Sequence, residues 1–340
     1  EDDDSMETFD PVEAGLLNID QAAILLNEFR ESFVWSFPFV VIPASTSVDA
    51  LRHRHPFLFH AIIAATSYRT PSVQRQIAEE FKSQIASRII MHSQKSLEIL
   101  QGLLIYTAWY HTVYQPQTQQ LSINLQLYKR KMTLAGDGHA PAARSADEKR
   151  AFLGVYYLTV AFAQAWRKRT TLVHTKFMLQ CSEDVAEVPS DALISPLIRL
   201  SEVISRANDY FSFDDIDNAE VRGDIILDMS MTNFRNELEL IKSSLPDSVR
   251  QNTTIILKYQ LLDLWVHESA LHGVLWDTPE NPTSLSALRI TNLFRSVAAM
   301  KTIITTLLDV PQKSLYHLAF PSWSGWFYAI ILACKLVFLQ

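Results

Sequence analysis

The sequence has 340 residues, of which 48 % are hydrophobic and 20 % charged, and its net charge is −7. This profile excludes an intrinsically disordered chain, and the acidic balance argues against direct binding of nucleic-acid phosphates, which normally takes a basic surface. The two cysteines, Cys181 and Cys334, are too few for a structural zinc site and indicate a reducing compartment. We expect both thiols to be inert, with Cys334 buried.

The chain opens with an acidic stretch, EDDDSMETFD, which predicts a solvated and flexible tail over residues 1–10. A helix follows, because apolar residues recur at helical spacing from Asp20, a candidate N-cap, as far as Phe33. Two prolines then end this helix and favour an extended piece at 37–43, FPFVVIP.

The stretch that organises the chain is 97–110, in which nearly every residue is apolar. A helix that is apolar on all sides has no solvent face, so this one is predicted to lie at the centre of a bundle. It is too short and too interrupted to span a membrane, and we expect no membrane partner. Helices that begin at Pro56 and Pro71 precede it, the second with apolar positions through Ile90, and a helix over 117–134 follows.

A linker is predicted at 136–148, GDGHAPAARSADE, because Gly, Ala, Pro, Ser and Asp dominate it. It separates an N-terminal helical half, 11–135, from a C-terminal half, 149–340. Strand signals are nearly absent. The predicted fold is therefore all-α, a multi-helix bundle of about ten or more helices around a buried central helix. In the C-terminal half, helices are predicted at 150–166, 177–183, 189–211, 219–244, 252–275, 284–308 and 322–339.

Two segments have a superficial likeness to catalytic motifs. The segment 267–272, HESALH, is similar to a zinc-protease helix, but its histidines are five residues apart where the motif needs four. Asp214, Asp215 and Asp217 are similar to the magnesium-binding box of terpene synthases, yet Ile216 stands where an acid is needed. Partly exposed helix histidines and a solvated acidic loop are the favoured interpretations. An α-helical terpene-synthase-like enzyme remains an alternative, although we expect no catalytic residue and no metal site.

Aromatic side chains with polar tips mark the place where a ligand pocket would be sought. Such side chains suit a small organic ligand, because they combine apolar area with a hydrogen-bonding group. Ordinary core packing is the competing and favoured interpretation. The candidate ligand-binding residues, at the end of the central helix and on the helix that follows the linker, are Trp109, Tyr110, His111, Tyr156 and Tyr157.

Three segments together resemble the fungal-specific transcription factor domain, or middle homology region, of fungal zinc-cluster transcription factors. They are EEFKSQIASRIIMHSQKSLEILQGLLIYTAWYH at 79–111, FPFVVIP at 37–43 with HPFLFHAIIAATS at 55–67, and KRAFLGVYYLTVAFA at 149–163. The resemblance covers residues 11–180. One departure is Trp166-Arg167-Lys168-Arg169, which stands where the family usually has a Gly-Arg-Pro-like turn.

The resemblance implies a regulatory domain in the nucleus that controls RNA polymerase II target genes, often as a homodimer, under a small-molecule effector or a coregulator protein. In that family DNA and zinc are bound by a six-cysteine, two-zinc module, which is absent from this sequence. We therefore expect no cofactor here, and the chain is either a fragment lacking that module or a relative that never had it. The basic clusters 129–131 and 167–169 are interpreted as solvated helix ends. A ligand-free protein-interaction scaffold remains a further alternative.

Overall fold

The computed structural model describes residues 9–110, 115–128, 144–276 and 285–337. These residues form sixteen α-helices, together with short 3-10 turns and loops, and contain no strand. The predicted all-α class is thus confirmed. The chain divides into two compact units, Glu1–Val155 and Tyr156–Gln340. The linker at 136–148 stays a prediction, since 136–143 lies outside the described residues.

Seven of the helices begin in the first unit, and a π-helical turn, Ile85–Met91, directly follows the fourth of them. They are α1 (Ile19–Glu31), α2 (Val48–Arg54), α3 (Pro56–Thr66), α4 (Pro71–Gln84), α5 (Leu97–Trp109), α6 (Gln115–Asn124) and α7 (Ala146–Ala165).

Two helices form the centre of the first unit. The predicted central helix is α5, which is buried from Ile99 to Ala108. Helix α3 packs along it and is buried from Phe57 to Thr66, with α1, α2 and α4 arranged around α3. Apolar side chains dominate both runs, and they lose about 25 cal/mol for each Å² exposed to water, so both helices are internal. The buried central helix is confirmed.

The N-cap of the first helix lies two residues before the predicted one. Asn18, and not Asp20, is the N-cap: its side-chain oxygen accepts a hydrogen bond from the Gln21 amide at 2.8 Å. The Gln21 side chain accepts one from the Asn18 amide in return, also at 2.8 Å. This reciprocal capping box satisfies two backbone donors that the helix itself leaves unpaired.

A glycine allows α3 and α5 to approach closely. A Cβ atom at Gly102 would lie only 2.6 Å from Cδ1 of Phe57, which is closer than carbon atoms pack. Near the same place Glu98 of α5 accepts a hydrogen bond from the Phe57 amide at 2.8 Å. A carboxylate from one helix therefore caps the first turn of the other.

The predicted extended piece lies in an irregular segment, 37–46, and one side chain donates hydrogen bonds to three of its carbonyl groups. Arg30 of α1 donates hydrogen bonds to the carbonyl oxygens of Ile42, Pro43 and Thr46, at 3.2, 2.9 and 2.5 Å. Carbonyl groups outside a strand or helix need other donors, and a guanidinium supplies several. The segment is thus stabilised by a guanidinium and not by a β-ladder.

The end of α4 departs from the predicted helical register. Ile85 is buried, but Ile90 and Met91 are 61 % and 75 % exposed. A π-helical turn holds more residues than an α-helical one, so it rotates the following side chains away from their α-helical positions. The prediction that Ile90 lies on the buried face is therefore wrong, because the α-helical spacing holds only as far as Ile85.

The helices that lie wholly in the second unit run from α8 to α16. They are α8 (Lys176–Asp184), α9 (Ile194–Phe211), α10 (Asp224–Ser243), α11 (Asp247–Arg250), α12 (Thr253–His267), α13 (Gly273–Trp276), α14 (Ala287–Leu308), α15 (Gln312–Leu315) and α16 (Phe320–Val337).

Helix α12 is the centre of the second unit. It packs against α9, α10, α14 and α16, and Leu262, Leu264 and Trp265 on it are fully buried. The helix predicted over 252–275 ends at His267, where a 3-10 turn, Glu268–Leu271, takes over. Among the described residues, no helix combines the length and the apolar character that crossing a membrane requires.

The two cysteines lie in different environments. Cys181 is buried on α8 together with Met178 and Ser182. Cys334 is exposed, contrary to the prediction, because it shares the outer face of α16 with Phe327 and Ile331, while Leu332 takes the buried face. The apolar run predicted a buried Cys334, but only one side of α16 is covered by other described residues.

Candidate functional site

The predicted aromatic residues of the first unit lie at the end of α5. Trp109 is half-buried, and its ring packs against Phe29, Phe33 and Phe37 at centroid distances of 6.4, 5.2 and 5.9 Å. Its indole nitrogen is buried without a hydrogen-bond partner among the described residues. An indole N–H of this kind usually finds an acceptor when buried, so it marks a position where an acceptor atom would be stabilised.

The next aromatic residue, Tyr110, stacks on Tyr106 with their rings 5.3 Å apart and 3° from parallel. Burial raises the pKa of Tyr110 above its ordinary value, so its hydroxyl stays protonated at neutral pH. The third predicted residue of this group, His111, lies outside the described residues. The stacked pair favours ordinary aromatic packing here, and a ligand contact stays a prediction.

Tyr156 and Tyr157 belong to the second unit. The Tyr156 hydroxyl is buried with no hydrogen-bond partner in the described part of the chain, and its ring lies 5.6 Å from that of His174. The ammonium of Lys258 lies 5.1 Å from the ring centroid of Tyr157. Since Trp109 and Tyr110 belong to the other unit, the prediction that all these residues line one pocket stays a prediction.

Lys258 is a buried amine that the sequence analysis did not single out. Its side chain is 3 % exposed, and its nitrogen has no hydrogen-bond partner among the described residues. Burial lowers the pKa of Lys258 from 10.5 to about 7, so a large share of it is neutral at physiological pH. The face of Tyr157 is the group that stabilises its charged form.

The second unit also holds a cavity of about 170 Å³ between α9, α10, α12 and α14. Its walls are mainly aliphatic, and it reaches the surface at the exposed Thr302. A dry cavity of about 150 Å³ holds a benzene-sized molecule, so this one has room for a single ring or a short chain. The lining residues are Leu200, Ile241, Lys242, Leu245, Arg250, Ile255, Ile256, Tyr259, Gln260 and Thr302.

Two polar groups give this cavity its chemistry. The Gln260 side chain donates a hydrogen bond to Thr306 at 2.8 Å, while its amide oxygen is buried without a partner among the described residues. Lys242 rests over the Tyr259 ring at 4.5 Å, and no carboxylate in the described ranges pairs with it. The other cation, Arg250, is paired with Asp247. The cavity thus offers apolar walls, one hydrogen-bonding amide and one uncompensated positive charge.

A groove of about 330 Å³ lies beside the π-helical turn in the first unit. Ile89, Ile90 and Leu121 provide its apolar floor, and Lys95 is the cation that lines it. Gln117 also lines it, and its side-chain oxygen is buried without a partner in the described part. The groove is broader and more polar than the cavity of the second unit, which suits a peptide better than a small molecule.

The two segments with catalytic likeness carry no catalytic arrangement. Asp214 is paired with Arg169 at 2.7 Å, so it is engaged in a structural contact. His267 is buried, so the prediction of partly exposed histidines is wrong for it, and it contacts the Asp263 carbonyl at 2.8 Å. The half-buried His272 contacts Glu268 at 3.1 Å. The described residues include no group of three His, Cys, Asp or Glu side chains placed to hold a metal ion.

The basic cluster at 167–169 is only partly solvated, which corrects the prediction for its first member. Lys168 and Arg169 are exposed. Arg167 instead pairs with Glu268, a fully buried carboxylate that lies 101 residues further along the chain. The cluster at 129–131 lies outside the described residues.

Within the ranges described, the fold is helical and strand-free, and its second unit holds a mainly aliphatic cavity with a charged group on its wall. The sequence pattern of the family described as the WAR1 C-terminal domain matches residues 3–300. The chain therefore belongs to the WAR1 C-terminal domain family.

Curated relatives agree with this membership. The chain is 26 % identical to transcription factor himD of Aspergillus japonicus, over 96 % of this chain and 57 % of that protein. It is 25 % identical to transcription factor opdL of Penicillium oxalicum, over 87 % and 56 %. Weak acid resistance protein 1 of Saccharomyces cerevisiae is 27 % identical over 30 % of this chain and 12 % of that protein. No solved structure matches the chain.

The chain thus spans a little more than half the length of the first two relatives. Both of these relatives are fungal transcription factors, which supports the resemblance to a fungal transcription factor region. Their names are those of regulators and not of enzymes.

Proposed function

We propose that the chain is the effector-responsive regulatory region of a fungal zinc-cluster transcription factor that acts in the nucleus. It has two states, and a small molecule that binds one of them better shifts the activity of a linked DNA-binding module. Zinc and DNA contacts belong to that module. The observation that carries the proposal is the family membership, joined to a cavity of ligand size inside the second unit.

The cavity favours one class of effector, a small lipophilic weak acid. Its aliphatic walls suit one ring or a short chain, and Lys242 supplies a positive charge that no carboxylate among the described residues neutralises. A carboxylate paired with an ammonium in a partly buried site gains a charge-assisted hydrogen bond of about 1.5–3 kcal/mol. The name of one relative refers to weak acid resistance, which supports the same class.

A calorimetric titration tests this site. Benzoate is the probe, and benzamide is its uncharged analogue of the same shape. We expect benzoate to bind, Lys242→Met to weaken it by about tenfold or more, and benzamide to be insensitive to that change. Gln260→Leu should weaken both probes. Lys301→Met, on an exposed lysine of α14, is the matched control and should bind benzoate like the parent chain.

A reporter assay then tests regulation. The chain is fused between a heterologous DNA-binding module and an activation segment, and expression is measured with and without benzoate. The expected result is a response that Lys242→Met abolishes and Lys301→Met retains. Benzoate binding without any change in reporter output would separate a ligand site from a regulatory one and would overturn the two-state proposal.

We include homodimerisation and coregulator binding in the proposal. The exposed apolar side chains of α16, Phe327 and Ile331, and the groove beside Ile90 support it, since patches of this kind often mark protein contacts. Sedimentation velocity of the chain and of Phe327→Lys with Ile331→Lys tests the dimer. A monomer at all concentrations in the unaltered chain would remove homodimerisation through this region.

A further inference from the structure

The side chain of Arg167 lies inside a cage of aromatic rings in the second unit. Its guanidinium carbon is 6.0, 5.7 and 5.7 Å from the ring centroids of Phe213, Trp265 and Tyr328. Aromatic faces attract cations through the negative potential of the ring, and several rings around one point are how proteins recognise organic cations. The rings come from three different parts of the unit, so the cage is built by the tertiary fold.

A carboxylate completes this aromatic cage. Glu268 has no solvent exposure and pairs with Arg167. The same Glu268 oxygen, Oε1, also contacts Nε2 of His272 at 3.1 Å. A buried carboxylate needs a positive partner, because an unpaired one costs several kcal/mol. The cage therefore has the two features of a cation site, aromatic walls and a buried counter-charge.

Arg167 fills the cage incompletely. Three polar atoms in it are buried without a hydrogen-bond partner among the described residues: Oε2 of Glu268, Nε1 of Trp265 and the hydroxyl of Tyr328. Arginine binds a carboxylate best through two parallel hydrogen bonds, yet here one carboxylate oxygen is unused. A cation free to choose its own orientation can donate to the two acceptors, Glu268 Oε2 and the Tyr328 hydroxyl, whereas the Trp265 indole N–H is itself a donor.

The cage is also reachable from solvent along the path that Arg167 takes. Its side chain is 28 % exposed, and its neighbours Trp166 and Lys168 are exposed. Arg167 lies two residues beyond the last residue of α7, Ala165, with a left-handed backbone φ of 49°. This conformation belongs to the C-cap of α7, in which the Lys168 amide donates a hydrogen bond to the carbonyl oxygen of Ala163 at 2.8 Å.

We infer that this cage is a binding site for a small organic cation with a planar guanidinium or amidinium head, and that Arg167 is its internal occupant. The incoming head pairs with both oxygens of Glu268, donates to the Tyr328 hydroxyl and stacks among the three rings. Arg167 then leaves the cage and its loop moves outward. This site is distinct from the proposed effector cavity and does not depend on the proposed function.

Competition with Arg167 makes the inference testable. A tethered side chain competes at an effective concentration on the order of millimolar, so it weakens the apparent affinity of an outside cation. In the unaltered chain only the fraction of molecules with an empty cage can bind an outside cation. Removing the Arg167 side chain leaves the cage empty in every molecule, so the apparent dissociation constant should fall to that fraction of its value. Truncating a purely structural Arg167 would also leave a hole that accepts methylguanidinium, so the distinguishing result is binding by the unaltered chain, which requires Arg167 to leave the cage.

The experiment is a calorimetric titration of the chain with methylguanidinium. We expect Arg167→Ala to bind it about tenfold or more tightly than the unaltered chain. Glu268→Gln added to Arg167→Ala should weaken binding again by about tenfold, because it removes the counter-charge. Lys168→Ala removes a neighbouring exposed cation and should match the unaltered chain. Tetramethylammonium, which cannot donate hydrogen bonds, should bind Arg167→Ala more weakly than methylguanidinium.

Two results would overturn the inference. One is an Arg167→Ala chain that binds methylguanidinium no better than the unaltered chain. The other is an unaltered chain that shows no binding at about 100 times the dissociation constant of Arg167→Ala. If Arg167→Ala does not fold alone, its refolding yield is compared in about 10 mM methylguanidinium and in sodium chloride of the same strength. Recovery only in methylguanidinium supports the inference when the unaltered chain also binds methylguanidinium; equal yields, or no binding by the unaltered chain, overturn it.

Discussion

Replacement of Gly102 by alanine tests the packing on which the first unit depends. The new Cβ would lie 2.6 and 2.9 Å from two ring carbons of Phe57 and 3.3 Å from its carbonyl oxygen. The ring has no free space to enter, because Phe57 is fully buried and its centroid is 4.5 Å from that of Phe81. Relief must come from moving α3 away from α5.

Two opposing terms set the size of the effect. Alanine favours a helix interior over glycine by about 1 kcal/mol. Overpacking a rigid core costs about 1–3 kcal/mol, and contacts with ring and backbone atoms lie at the upper end of that range. We therefore expect Gly102→Ala to lower the free energy of unfolding by about 1–2 kcal/mol, against the sign that helix propensity alone would give.

Urea unfolding followed by circular dichroism measures this change. Gly325→Ala is the matched control, since a Cβ there meets flexible methyl groups of Leu261 at 3.1 and 3.4 Å and of Ile303 at 3.5 Å. That variant should stay within about 0.5 kcal/mol of the unaltered chain. If Gly102→Ala were as stable as the unaltered chain, the close approach of α3 to α5 would be wrong.

Three further outcomes are expected. Burial lowers the pKa of Lys258 from 10.5 to about 7, so the unfolded chain binds more protons between these pH values and the free energy of unfolding rises with pH there, by about 1.4 kcal/mol per pH unit at most. In urea unfolding, Lys258→Met should be more stable than the unaltered chain at pH 7. Between pH 7 and pH 9 it should lose much of the rise in stability. Burial lowers the pKa of His60 from 6.5 to about 4, so stability falls as pH drops from 6.5 towards 4, and thermal melts of His60→Leu should show a smaller fall. Glu98→Ala removes the acceptor of the Phe57 amide and should cost about 1 kcal/mol in urea unfolding, whereas Glu98→Gln should retain most of it. If Lys258→Met or His60→Leu kept the pH dependence of the unaltered chain, the burial of that side chain would be contradicted. If Glu98→Ala kept the urea midpoint, the hydrogen bond from the Phe57 amide to Glu98 would be contradicted.

The buried helix α5 was predictable because its own residues decide its position. From Leu97 to Trp109 the only charged side chain is Glu98, and no arrangement of such a helix is stable with a face in water. Helix α12 is just as central, but it carries Lys258 and Asp263. Whether a lysine is buried depends on what the other helices place around it, and that information is not local.

The candidate sites show the same difference between what residue type alone predicts and what depends on distant residues. The aromatic tips of Trp109 and Tyr156 were found from residue type, and both carry buried polar atoms without a partner in the described part of the chain. Arg167 was grouped with Lys168, because a run of basic residues gives no reason to separate its members. Only its ion pair with Glu268, which lies 101 residues further along the chain, distinguishes Arg167 from Lys168.

The guanidinium of Arg30 has a consequence for how the first unit opens. Three carbonyl groups of segment 37–46 depend on this one side chain, and the side chain depends on the last turn of α1. Fraying of that turn releases the segment at the same moment. In amide exchange with heavy water, the two stretches should therefore behave as one cooperative foldon with a shared opening free energy, although sequence and irregular backbone alone would assign the loop to the fastest-exchanging class.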